Sequence, residues 1–190
     1  NLRQPLLHPG QRLVGLGHLA LELAADEQVR GVVDDLRRQL EGKVAKAFDS
    51  VQNDILQGRI GGLFNGLGVA SGRRLQRLAV EESRLKIPLI FAADVIHGLR
   101  TVFPVPLGEA AAFDPDLVER TARAAALEAT AVGIQWTFGP VVDIARDQRW
   151  GRVVEGAGED PYLGRLLATA RVRGFQGRSL KDADSMLATL

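Results

Sequence analysis

Cysteine is missing from the 190-residue chain. Its absence excludes disulfide bonds and thiolate metal sites, and it leaves the cellular compartment open. An excess of charge of one sign is missing as well, since 24 basic and 23 acidic residues give a net charge of +1. This near balance gives no reason to expect nucleic acid or an anionic membrane as a partner.

Long apolar runs are also missing, since no apolar segment has the roughly 20 residues that a helix needs to cross a bilayer. Apolar residues nevertheless make up 46% of the chain, which is enough to bury a sizeable core. Residues 11–26 are loosely similar to a secretory signal, but His18 and Glu22 interrupt the apolar stretch. We therefore favour an ordinary amphipathic helix or a lead-in segment there over a signal peptide.

The pattern of apolar residues divides the chain into two parts. Between residues 26 and 57, apolar residues recur at intervals of three and four, which predicts a helix. Beyond this helix, short apolar segments alternate with helical patterns. We therefore predict an N-terminal lead-in and helical segment over residues 1–58 and an α/β part over residues 59–190.

Four apolar segments of the second part predict strands: RIGGLF, IPLIFAAD, IQWTF and SMLATL. Between them, Asp114-Pro115 and Asp160-Pro161 are helix start signals, and Ser71 can cap the helix before the second strand. Strands that alternate with helices predict a parallel α/β sheet. Right-handed crossovers bring the loops after the strands to one end of such a sheet, where active sites lie.

The segment NGLGVASG follows the first predicted strand and is similar to a dinucleotide-binding fingerprint. Gly66 and Gly68 give G-x-G, and Asp94 ends the next strand, but Ser71 stands where a third glycine belongs. A flexible loop between strand and helix is the better explanation. A dinucleotide-binding α/β domain is kept as the less favoured alternative.

The segment AADVIHGLRTVFP places a carboxylate, Asp94, directly after the second strand. A carboxylate at this position can accept hydrogen bonds from two sugar hydroxyls, although it could instead cap a turn or pair with Arg100. His97 alone is more often a structural histidine than a ligand. No spacing of His, Asp and Glu supports a metal site, so none is predicted.

The segment RDQRWGRVVEGAGEDPYL, residues 146–163, follows the third predicted strand with three arginines, four carboxylates and Trp150. Guanidinium groups pair with carboxylates in bidentate geometry. We expect most of these charges to form an ion-pair network that stiffens the loop, with Trp150 as its apolar anchor. One or two of the arginines are left to contact a ligand.

The run DVIHGLRTVFPVPLGEAAAFDPDLVERTARAAALEATAVGIQWTFGPVVDIARDQRWGRVVEGAGEDPYLG resembles the N-terminal domain of glycoside hydrolase family 3, in particular its bacterial periplasmic β-glucosidase branch. The resemblance covers roughly residues 59–190, whereas the preceding segment matches poorly. Gln148 departs from a proline common in the motif. The resemblance implies a TIM-like (β/α)8 barrel, of which the chain would hold the N-terminal half, about four βα units after the helical segment.

The same resemblance implies retaining hydrolysis of terminal β-D-glucosyl residues without a cofactor. It assigns no catalytic residue within the chain, because the nucleophile, the acid/base residue and a Lys-His pair are expected beyond Leu190. By resemblance, Asp94 and Arg149 bind the innermost sugar. The candidate residues that support them are His97, Arg100, Asp143, Arg152 and Glu155.

The expected partners are a β-glucoside or oligosaccharide, the C-terminal half of the barrel and a second domain. Neither nucleic acid nor a membrane is expected as a partner. A periplasmic or secreted location is implied by the resemblance alone. A non-catalytic sugar-binding or interaction fragment is the alternative from another functional class, and the exact sugar, its linkage and the oligomeric state are left open.

Overall fold

The computed structural model describes residues 27–65 and 68–190. The signal-like segment at residues 11–26 and Gly66 of the G-x-G pattern therefore lie outside the described residues. No helix within the described part is both long enough and apolar enough to cross a membrane.

The chain divides into two units, and the division lies between Val51 and Gln52. Helix α1, Glu27–Leu56, begins in the first unit and ends in the second. It confirms the helix predicted from the three-and-four spacing. Within the first unit, the helix carries an exposed ion pair between Arg37 and Glu41, with 3.0 Å between Nε and Oε1.

The second unit is built on a single parallel sheet among the described residues, with its strands in the order β1-β2-β3-β4. The strands are β1 (Gly62–Phe64), β2 (Ile90–Ala93), β3 (Trp136–Thr137) and β4 (Leu187–Ala188). The connecting helices are α2 (Gly68–Arg77), α3 (Pro106–Ala110), α4 (Pro115–Ala131) and α5 (Pro161–Gln176). This arrangement confirms the predicted parallel α/β sheet, in which the loops that follow the strands share one end.

The strands are shorter than the apolar segments that predicted them. Before β2, the backbone of Leu89 pairs with a side chain instead of a strand, since Gln76 Oε1 accepts from Leu89 N at 2.8 Å and Gln76 Nε2 donates to Leu89 O at 3.2 Å. Similarly, Gln135 Oε1 accepts from Phe91 N at 2.9 Å. The apolar segments therefore predict which parts of the chain are buried. The hydrogen bonds of the Gln76 and Gln135 side chains help to determine at which residue the pairing between strands begins.

The predicted N-cap at Ser71 is wrong. Ser71 lies inside α2, which begins three residues earlier at Gly68, where a φ of +73° suits glycine. The helix also ends before Leu85, in a π-helical turn over Leu78–Glu82. Ser83 closes this turn, because its hydroxyl donates to Ala79 O at 2.6 Å.

The two Asp-Pro helix starts are confirmed. Asp114 Oδ1 accepts from Leu117 N at 3.0 Å at the start of α4. Asp160 Oδ1 accepts from Tyr162 N at 2.7 Å at the start of α5. Each carboxylate thus satisfies a backbone N–H that the first helical turn leaves free.

Helices α4 and α5 pack closely against each other and against the sheet. A Cβ added at Gly174 in α5 would lie 2.4 Å from Glu119 O and 2.6 Å from Ala122 Cβ, so α4 leaves no space for a side chain there. The core is formed mostly by small residues of α4 with larger residues from the neighbouring elements. Its buried members are Ala93, Val95, Ala122, Ala125, Ala126, Ala129, Ile134, Phe175 and Met186.

Two glycine substitutions test this packing. Gly174→Ala should lower the free energy of unfolding by about 1–3 kcal/mol, because the added methyl group overpacks the contact between the helices. Gly72→Ala should raise it by roughly 0.5–1 kcal/mol, because no described atom lies within 4 Å of its Cβ position and alanine favours the helix. Urea unfolding measures both changes in the free energy of unfolding. If Gly174→Ala and Gly72→Ala change it equally and in the same direction, α4 and α5 do not approach closely at Gly174.

Candidate functional site

The loop that follows β2, residues 94–105, is called the β2 loop. It begins with Asp94, which is exposed at the carboxyl end of β2. The next backbone groups are held from two sides. Val95 N donates to the buried hydroxyl of Thr137 at 3.1 Å, and Ile96 O accepts from Arg171 Nη1 at 2.8 Å. Asp94 therefore emerges from a backbone that is fixed in place.

His97 closes the β2 loop on itself. Its Nδ1 lies 2.9 Å from Phe103 O, and Phe103 N donates to His97 O at 2.9 Å. Gly98 between them has a φ of +106°, and a Cβ on it would lie 1.9 Å from Thr101 O. In these contacts His97 acts on the shape of the loop.

Glu128 of α4 anchors the tip of the β2 loop, a role that was not predicted from the sequence. Its Oε2 accepts from Arg100 N at 2.7 Å and from Thr101 N at 2.9 Å, and its Oε1 accepts from the Thr101 hydroxyl at 3.2 Å. The hydrogen bonds from the backbone of Thr101 and of Arg100 lower the pKa of Glu128.

The lowered pKa of Glu128 predicts a pH-dependent stabilisation. The contribution is fully present above the ordinary value of 4.5 and is lost as the pH falls through the lower folded value. Glu128→Gln should therefore melt below wild type at neutral pH, and the gap should shrink below pH 4.5. Melting midpoints from pH 7 to pH 3 measure it, with Glu119→Gln on the same helix as the control. A gap that does not change with pH would contradict the anchor.

The charged loop over residues 146–163 contains two bidentate ion pairs. Arg149 contacts Asp147 through Nε–Oδ1 at 3.0 Å and Nη2–Oδ2 at 2.5 Å. Arg152 contacts Glu155 through Nε–Oε1 at 2.9 Å and Nη2–Oε2 at 2.6 Å. Each hydrogen-bonded guanidinium lowers the pKa of its carboxylate partner. The loop thus contains two separate arginine–carboxylate pairs, and the described contacts do not join them into the predicted network.

The two arginines differ in their surroundings. The side chain of Arg149 is 91% exposed, and its pKa is raised by the hydrogen bond with Asp147. The pKa of Arg152 is raised first by its hydrogen bond with Glu155, and then by the charges of Asp143 and Asp94. The charges of Asp143 and Asp94 thus act on Arg152, whereas Asp147 is the only carboxylate among the described residues that raises the pKa of Arg149.

A cleft of about 710 Å³ lies beside Asp94. Its volume is in the range of small-molecule sites in proteins. Residues of α2, of β2, of the β2 loop and of the turn after α4 surround it. Its polar lining includes Asn65, Arg73, Gln76, Asp94, Arg100 and Gln135. Arg100 thus shares this cleft with Asp94.

The described residues offer no metal centre. Within residues 27–65 and 68–190, no group of three or more His, Cys, Asp and Glu side chains could hold an ion.

Comparison with known proteins identifies a family for most of the chain. The family model described as "Glycosyl hydrolase family 3 N terminal domain" matches residues 32–190. A periplasmic beta-glucosidase of Salmonella typhimurium is 42% identical over 142 residues, which are 75% of this chain and 19% of that protein. A lysosomal beta glucosidase of Dictyostelium discoideum is 39% identical over 54% of this chain and 13% of its own length.

Solved structures show the same similarity. The beta-glucosidase from Listeria innocua in complex with glucose is 44% identical, with a TM-score of 0.65 over 67% of this chain and 18% of that one. A mutant of the same enzyme, solved in complex with laminaribiose, is 43% identical with a TM-score of 0.65 over the same shares. The chain thus spans 13% to 19% of the length of these relatives.

Proposed function

Because the chain belongs to glycosyl hydrolase family 3, we propose that it forms the first part of a β-glucosidase-like enzyme and carries part of its sugar site. The enzyme would hydrolyse terminal β-D-glucosyl residues with retention of configuration. One observation carries the proposal: the exposed Asp94 carboxylate directly follows β2, at the end of the parallel sheet where the loops after the strands gather. The similar structures are β-glucosidases, and one of them is a complex with glucose.

We propose that the parallel sheet is the first half of a TIM-like (β/α)8 barrel. Its consecutive strand order supports this, since barrel strands follow one another in sequence. A contact across β2 agrees with it. Ala92 of β2 lies opposite Phe64 and Trp136, and the ring centroids of Phe64 and Phe138, which come from either side of β2, are 5.2 Å apart.

In the proposed site, the Asp94 carboxylate accepts hydrogen bonds from two hydroxyls of the innermost sugar. A charged hydrogen bond of this kind contributes roughly 1.5–3 kcal/mol. The guanidinium that donates to the same sugar would be Arg149 or Arg152. The family resemblance assigned Arg149, whereas the charge environment favours Arg152. His97, Arg100, Asp143 and Glu155 would support the site.

Substitutions measured in the full-length protein test the sugar site. Asp94→Asn and Arg152→Met should each lower kcat/KM at least tenfold, because each removes a charged hydrogen bond to the sugar. Arg149→Met has the same effect only if Arg149 is the sugar ligand; loss of an exposed ion pair with Asp147 alone leaves kcat/KM nearly unchanged.

The control for this series is Asp160→Ala. It removes an N-cap of α5 and should lower stability by about 1 kcal/mol without lowering kcat/KM. Melting midpoints of all variants separate the two effects. An unchanged kcat/KM for Asp94→Asn, or a lowered midpoint as its main effect, would show that Asp94 is structural.

The 190-residue chain itself should show no glycosidase turnover. Retaining hydrolysis needs two carboxyl groups about 5 Å apart across the scissile bond. The resemblance places the nucleophile and the acid/base residue beyond Leu190. Release of nitrophenol from an aryl β-glucoside measures the activity. Turnover that scales with the concentration of the purified chain would disprove this assignment and also exclude the non-catalytic alternative.

A periplasmic or secreted location belongs to the same proposal. It is supported by two relatives named as periplasmic enzymes, one of which is 35% identical over 60% of this chain. Signal-sequence mapping or fractionation of cells that express the full-length protein tests it.

A further inference from the structure

We infer that the buried ion pair between Glu109 and Arg171 positions the β2 loop, and through that loop the Asp94 carboxylate. The inference rests on the proposed function in so far as Asp94 binds sugar. Neither residue belongs to the site described above, since Glu109 lies in α3 and Arg171 lies in α5. Both act on Asp94 only through the backbone, so they are positioning residues.

The pair is almost completely removed from solvent. The Arg171 side chain is 8% exposed and the Glu109 side chain is 3% exposed. Arg171 Nη2 donates to Glu109 Oε2. Burial lowers the pKa of Arg171, and the neighbouring Glu109 carboxylate opposes that shift. An arginine in such a pair stays charged, so the two groups form an ion pair in the protein interior.

The Arg171 guanidinium also contacts the β2 loop, and this second contact allows the ion pair to position the loop. Arg171 Nη1 donates to Ile96 O at 2.8 Å, two residues after Asp94. One planar group therefore connects α3, α5 and the β2 loop. Because the Thr137 hydroxyl holds the preceding Val95 N–H, consecutive backbone groups beyond Asp94 are held by buried side chains from two different elements.

Stability alone does not explain why these two positions are charged. Buried ion pairs lose hydration on folding, and well-packed apolar residues of similar volume often replace them without loss of stability. Apolar residues at both positions would fill the same space between α3 and α5. They could not donate to the Ile96 carbonyl, which would then lack its buried partner. Only the charged pair supplies the hydrogen bond to Ile96 O, which holds the backbone of the β2 loop in place.

The test compares three proteins with wild type in the full-length protein. The double variant Glu109→Leu/Arg171→Met removes both charges and keeps the volume. Arg171→Lys retains a cation and a donor. The control Arg123→Met/Asp184→Leu removes an ion pair that joins α4 to the segment before β4 and does not contact the β2 loop. The measurements are amide hydrogen exchange of residues 94–105, the melting midpoint, and kcat and KM on an aryl β-glucoside.

For the double variant we expect faster exchange across residues 94–105, a midpoint within about 5 °C of wild type, and a roughly tenfold lower kcat/KM that arises mainly from KM. Arg171→Lys should recover part of the loss in KM. The control should leave exchange in residues 94–105 and KM unchanged.

The inference is overturned if exchange and KM of the double variant equal those of wild type. It is also overturned if the midpoint falls by more than about 10 °C, since the pair would then act on stability. Wild-type protein that does not hydrolyse β-glucosides would disprove the proposed function. The exchange measurement would still decide whether the pair holds the loop.

Discussion

The close approach of α4 and α5 is the contact on which the rest of the second unit depends. At Gly174 the backbone of α4 occupies the space that a Cβ would need, so the two helices meet with almost no side chain between them. Arg171 lies about one turn before Gly174 on the same face of α5. The close packing therefore fixes the point at which Arg171 reaches the Ile96 carbonyl, and with it the start of the β2 loop.

Much of the fold could be predicted because its signals are local. Asp-Pro starts a helix through one carboxylate and one fixed φ, so Asp114 and Asp160 could be identified without knowledge of the tertiary structure. The errors had two sources. Ser71 had the right chemistry for a cap, but the helix begins three residues earlier, at Gly68. The start of β2 depends on a more distant residue, Gln76, which lies thirteen residues before Leu89.

The candidate site shows the same division between local and distant information. Asp94 could be proposed from the sequence because it follows an apolar strand on the side where sites of parallel sheets lie, and the structure places it there. Glu128 could not, since its role depends on backbone N–H groups 27 and 28 residues away. Nor could sequence spacing separate Arg149 from Arg152, because each has a carboxylate two or three residues away that can form a bidentate pair.

Charge balance separates the two arginines where hydrogen bonding does not. Each pairs through Nε and Nη2 with one nearby carboxylate, so each keeps Nη1 as a donor outside the described pair. Only for Arg152 do the charges of Asp94 and Asp143 also raise the pKa. A sugar brings no charge of its own, so a site that binds it with a carboxylate gains from a cation that offsets the desolvation of that carboxylate. Of the two arginines, Arg152 is the one on which the charges of Asp94 and Asp143 act, and under the proposed function we expect it to serve as the donor that complements the acceptor Asp94.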